Sequence, residues 1–234
     1  MVERLLTFGD ELTDEDGNTV RIVRDDDPTS PREWDNGTHF YTYDGCSPDE
    51  VSVWDPYRRE VGKGPLDMIG VLCEFIPYDK IWGDYERFYD DHEWDEPYPD
   101  EWMTEVARRG TDTEYIPELV RFVNEHGGWA KPIAIGECDG HRVFDANDQD
   151  GPYLGIIYMD RKGKEAVGTP DGLEFAALDG DVANQNNYES RNVFGFEVED
   201  ADGDTIWSLW GIYPDGDMPY IPESAIEWNT GDVA

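Results

Sequence analysis

The stretch VFGFEVED, residues 193–200, narrows the choice of folds more than any other part of the chain. It is followed by Ala201-Asp202-Gly203-Asp204 and then by TIWSLWGIY, 205–213. Two runs rich in aromatic and β-branched residues flank a short Asp/Gly segment, which is the pattern of a β-hairpin. Strict alternation puts Phe194 and Phe196 on one face of the first strand. In the second strand Ile206, Ser208, Trp210 and Ile212 share a face, and Trp207 and Leu209 take the other. Both of its faces carry apolar bulk, which predicts a central strand.

The same signals recur elsewhere. RLLTF (4–8) and TVRIVR (19–24) read as a hairpin with Asp16-Gly17 in the turn. THFYTY (38–43), WAKPIAIGE (129–137), HRVF (141–144) and YLGIIYM (153–159) read as strands. The segment SPDEVSVWDPYRREVGKGP (47–65) reads as mostly irregular. LDMIGVLCEFI (66–76) is an apolar run that fits a helix or a buried strand, because periodicity does not separate the two at this length. Asp100 is placed to cap a helix over EWMTEVARR, and Pro117 to open another, PELVRFVNEH, closed by Gly127. DGLEFAALDGDVANQNNYES (171–190) reads as a short helix or an extended connector. The expected fold is α+β: one domain over 1–234, a mainly antiparallel sheet with hairpins, and a helical insertion at about 78–127.

Charge comes next, because it restricts where such a fold can live. The chain carries 32 Asp and 23 Glu against 13 Arg and 5 Lys, a net charge of −37. Residues 1–120 hold 32 acids and 11 bases, and residues 121–234 hold 23 and 7, so the excess is spread along the whole length. Aromatic residues are 13% of the chain, too many for a disordered acidic segment. An even coat of carboxylate points to a folded protein adapted to molar salt, where the screening length falls to about 3 Å at 1 M. Scarce Lys fits the same solvent, since its long stem exposes apolar surface, whereas Arg pairs carboxylates with better geometry. Local imitation of nucleic-acid phosphates would concentrate the charge instead.

Cys46, Cys73 and Cys138 are odd in number and form no CxxC pair, which fits a reducing compartment. The N-terminal stretch has no apolar core of a signal peptide, and no run approaches the roughly 20 residues of a membrane span. These features predict a cytoplasmic protein that makes no membrane contact. The absence of a basic stripe argues against direct binding to nucleic-acid phosphates.

Motifs for chemistry are sparse. Asp145, Asp148 and Asp150 sit in an Asp-rich loop, DANDQDG, that begins like a calcium loop but has Asp where Gly is required. They are candidate ligands only under an alternative reading, a divalent-cation-assisted enzyme. Cys138 and His141 form one Cys-x-x-His pair with no second pair to complete a zinc site. The sequence shows no phosphate-loop, dinucleotide-binding or nucleophile-elbow pattern, and no cofactor is expected. Arg32, Glu33, Trp34, Asp35 and Asn36 differ in kind. A charged fork, an aromatic ring and an amide fall within five residues, which suits a recognition element as well as an ordered loop. With Trp207 they are the candidate binding residues, and the acid-rich span 84–101 is a second candidate contact surface.

Three segments resemble one family. DDDPTSPREWDNGT (25–38), LGIIYM (154–159) and GDVANQNNYESRNVFGFEVEDADGDTIWSLWGIYPD (180–215) are similar to a group of small phage and prophage proteins. Those proteins share a PREWDN-L-GT segment, a WDSGQ-x-G-x-IY segment and a VYGF…ED-x-DG…WGFYG ending. Pro31 to Thr38 match the first, apart from the Leu. Gly155, Ile157 and Tyr158 match the second. Tyr188, Val193, Phe194, Gly195, Phe196, Glu199, Asp200, Asp202, Gly203, Ser208, Trp210, Gly211 and Tyr213 match the third. The WDSGQ element is replaced by NDQDGPY, and Leu209 and Pro214 stand where relatives have Cys and Gly. The resemblance implies a viral or mobile-element origin without an assigned chemistry. The expected function is therefore that of an accessory protein of a halophile or its virus. It would act by binding a host or viral protein, in a counter-defence or regulatory role, or else as a minor virion component.

Overall fold

The computed structural model describes residues 5–6, 8–13, 17–34, 37–42, 53–55, 58–61, 68–75, 116–138, 140–148, 152–214 and 221–222. Strands are β1 (Leu5–Leu6), β2 (Glu11–Thr13), β3 (Thr19–Arg24), β4 (His39–Thr42), β5 (Val53–Asp55), β6 (Arg58–Val61), β7 (Trp129–Cys138), β8 (His141–Asp145), β9 (Tyr153–Met159), β10 (Phe194–Glu199), β11 (Thr205–Ile212) and β12 (Ile221–Pro222). Helices are α1 (Met68–Phe75), α2 (Ile116–Glu125), α3 (Arg161–Val167) and α4 (Glu174–Glu189), with one 3-10 turn at Pro31–Glu33. Every strand pair among the described residues is antiparallel. The fold is α+β. The chain divides into two compact units, Met1–Glu33 with Ala183–Ala234, and Trp34–Val182.

In the unit Trp34–Val182 the sheet runs β4-β9-β7-β8. β9 sits inside it, which is why YLGIIYM is apolar nearly throughout. Register sets two faces. Phe40 lies opposite Ile157, and Trp129 opposite Met159. These side chains join Ile133, Phe144, Leu178 and Val182 in a core closed by α4. His39 and Ala130 lie opposite Tyr158 on the other face. There Ile156 and Tyr158 pack with Val71 and Leu72 of α1 and with Ile116, Leu119, Phe122 and Val123 of α2. A bulge between Ile133 and Ala134 shifts the phase, so Tyr153 also packs toward α1 and α2. Helices thus cover both faces, each burying a layer worth ~1.5–3 kcal/mol per large side chain.

The other unit has a sheet in the order β11-β10-β3-β2. Leu12, Ile22, Phe194 and Phe196 form its apolar face, and the guanidinium of Arg24 stands over Phe194. Arg21 and Glu199 pair on the opposite face.

Several expectations are corrected. The hairpin partner of β3 is β2, not the run 4–8; Leu5–Leu6 pairs instead with Ile221–Pro222. The segment expected to be irregular contains the β5–β6 hairpin. The run 66–76 resolves to a helix. β11 is an edge strand among the described residues, not a central one. DGLEFAALDGDVANQNNYES supplies a 16-residue helix. α3, which had no counterpart in the reading, is capped by Asp160, whose Oδ1 accepts from Gly163 N at 2.6 Å. Of the expected insertion at 78–127, residues 116–127 are described and carry α2. The span 84–101 and the helix after Asp100 lie outside the described residues.

Candidate functional site

The stretch that opens at Asp25 is tied down at both ends. Asp25 is buried. Its Oδ1 accepts from Asp27 N at 3.1 Å and its Oδ2 from Gly211 N at 3.1 Å, while its own N–H donates to Val193 O at 2.9 Å. Gly211 has φ +73 and lies in a bulge of β11, where Trp210 and Gly211 together face Gly195. A side-chain carboxylate thus holds a backbone kink that glycine adopts without strain. Tyr213 donates its hydroxyl to Thr29 O at 2.6 Å. Burial raises the Tyr213 pKa, and the negative charge of its neighbours Asp25 and Glu33 adds to the effect, so the phenol stays protonated as the donor this bond needs. At the far end Gly37 has φ +68, and a Cβ there would collide with the backbone of Gly163 in α3. Thr38 then donates to Asp181 of α4, both side chains being buried.

Between these anchors lie the predicted binding residues. Pro31–Glu33 form a 3-10 turn, in which Ser30 Oγ accepts from Arg32 N at 3.2 Å and Ser30 O from Glu33 N at 2.9 Å. Arg32 is half-buried, and Glu33 is exposed. Trp34 is 36% exposed. Asp35 and Asn36 lie outside the described residues. The division between the two units falls between Glu33 and Trp34. Trp207 belongs to the unit of Arg32 and Glu33, half-buried, its ring 5.3 Å from that of Phe196.

The acidic loop serves its own turn. Asp145 Oδ1 accepts from Asn147 N at 2.7 Å and from Asp148 N at 3.1 Å. The Lys131 ammonium bonds Asn147 Oδ1 at 2.8 Å and pairs with Asp179, which places a cation beside the loop. Asp150 lies outside the described residues. Cys138 and His141 face each other across the β7–β8 turn. Among the described residues no group of three or more His, Cys, Asp or Glu side chains is placed to hold a metal ion.

One cluster of titratable groups escaped the sequence reading. His39 stacks on Tyr158 at 4.8 Å between ring centroids, and Tyr41 lies 6.0 Å from Tyr158. The Tyr158 hydroxyl is buried, with Glu74 of α1 and Tyr41 as its titratable neighbours. Desolvation holds the Glu74 carboxyl above its ordinary range, opposed by the nearby His39. Glu74 is nevertheless exposed at its surface, so this desolvation is partial. Burial, then Glu74 and Tyr41, push Tyr158 well up. The alternation of THFYTY put His39 and Tyr41 on one face; nothing in the sequence said that α1 would bring Glu74 onto it.

The remaining feature is β11. Ile206, Leu209 and Trp210 are 53%, 46% and 45% exposed. They stand on a strand with no ionisable residue in a chain that is 31% charged. No family model, curated protein or solved structure matches the chain. Among the described residues no helix is long and apolar enough to cross a membrane.

Proposed function

We propose that the chain is a salt-adapted accessory protein, related to those of viruses or mobile elements, that works by binding a host or viral protein. The observation that carries this reading is the exposure of Ile206, Leu209 and Trp210 on an uncharged strand of an otherwise carboxylate-rich chain. An acidic coat keeps such a protein dissolved in brine and repels nucleic-acid phosphates. A neutral apolar patch on the same surface is a place where another protein gains by excluding water. The phage-like segments support the viral context. Their residues Gly37, Thr38, Gly211 and Tyr213 brace the fold, which leaves the exposed side chains of β11 and Trp34 as the contact candidates.

The test is a capture experiment in molar KCl with the wild-type chain and with an Ile206→Thr/Leu209→Thr variant as baits. A partner recovered by the wild type and lost with the variant is the expected result. Equal recovery by both baits, or recovery by neither, contradicts the reading.

A further inference from the structure

We infer that β11 is completed by strand addition: an extended segment of a partner protein, apolar in its middle and basic at one end, pairs with its open edge. This deepens the protein-binding reading and rests on it. Leu209 lies opposite Phe196 and so shares the face of Phe194 and Ile22. Trp210 packs over Gly195 from the opposite face. Exposed apolar side chains therefore stand on both faces of one strand. A partner lying on either face would cover only half of them; a strand in the plane of the sheet covers both, by cross-strand contact above and below.

Among the described residues the outer edge of β11 has no paired strand. Natural edge strands often carry charges or proline that discourage pairing. Thr205–Ile212 has neither, in a chain with 55 acids. Two bulges, at its pairing with β10, are the one such device it carries; the run Trp207–Leu209 between them stays in regular register.

Charge fixes the character of the occupant. Asp202 and Asp204 are exposed in the turn at the start of β11. Asp200 is engaged within that turn, its Oδ1 accepting from Asp202 N and Asp204 N at 2.9 Å each. A Lys or Arg at the adjoining end of the incoming strand meets the two exposed carboxylates at contact distance, where salt screens least. A second copy of the chain offers no such cation. Antiparallel self-pairing centred between Ser208 and Leu209 would set Asp204 opposite Tyr213.

The test uses the full chain in molar KCl. The probes are synthetic peptides of alternating Val and Thr, with two Lys at the N-terminus or at the C-terminus, and matched peptides with Glu in place of Lys. Backbone hydrogen exchange is followed over 205–212. The expected result is at least tenfold slower exchange there with one Lys-ended peptide, at least tenfold weaker binding of its Glu-ended counterpart, and loss of protection in Ile206→Thr/Leu209→Thr. Three outcomes overturn the inference. Protection of 205–212 in the dilute chain alone would mean that its own residues cover the edge. Protection that grows with protein concentration would assign the edge to a second copy. No protection by any peptide, while a captured protein partner protects other residues, would refute strand addition and leave protein binding standing. Failure to capture any partner would remove protein binding itself.

Discussion

Asp25 and Gly37 do more for this fold than their neighbours Arg32 and Glu33. Asp25→Ala removes a buried carboxylate that accepts from both Asp27 N and Gly211 N, and should cost ~1–3 kcal/mol in chemical denaturation. Gly37→Ala combines a left-handed backbone with a collision against Gly163. A loss of ~1–3 kcal/mol from the backbone alone is expected, with more from the clash. Trp34→Ala, at an exposed indole, should change stability by less than ~1 kcal/mol. Glu74 gives a pH signature. Its folded-state pKa is raised, so the native state holds this proton more tightly than the unfolded chain. Its contribution to stability is therefore greatest below the unfolded value, ~4.3, and is lost as pH rises through the folded one. Glu74→Gln removes that titration while keeping the size and polarity of the side chain. Its stability should fall less steeply with pH across this window than that of the wild type. Parallel slopes for the two proteins would show that Glu74 is not desolvated as described.

Elements differ in how openly the sequence announces them. β10 and β11 are legible as two β-rich runs flanking an Asp/Gly turn, β9 as a short apolar run rich in β-branched and aromatic residues, and α2 because Ile116, Leu119, Phe122 and Val123 make a clean apolar stripe. α4 is not, for a physical reason. Its inner side mixes Leu178 and Val182 with buried Glu174, Asp181 and Gln185, so no apolar stripe appears. Two of the polar members are satisfied from outside the helix, Asp181 by Thr38 and Glu174 by Lys164, and Gln185 Nε2 donates to Glu189 within it. Gly180 and three Asn lower its intrinsic helix propensity as well. Leu178→Ala should therefore be severe, ~2–5 kcal/mol, because tertiary packing rather than propensity holds α4 in place. The phase of β11 was misjudged from the same alternation that revealed it. The kink at Trp210-Gly211 puts Ile212 on the face of Leu209, opposite Phe194, where strict alternation separates them. The edge position of β11 depends on which strands flank β10, and no local pattern carries that.

For the whole molecule, a net charge of −37 works against the compact state by self-repulsion, which salt screens. The proposed function has two halves: the carboxylates answer to the solvent, and the few uncharged exposed residues on β11 answer to a partner. If the acids instead formed a dedicated polyanion surface, replacing apolar residues on β11 would leave partner binding intact. The first half can be measured without knowing any partner. Thermal unfolding followed by circular dichroism across a KCl series, from dilute buffer to several molar, should give a cooperative transition in molar salt whose midpoint falls steadily on dilution, with loss of native structure in dilute buffer. A chain that remains fully native and equally stable in dilute buffer would contradict the account.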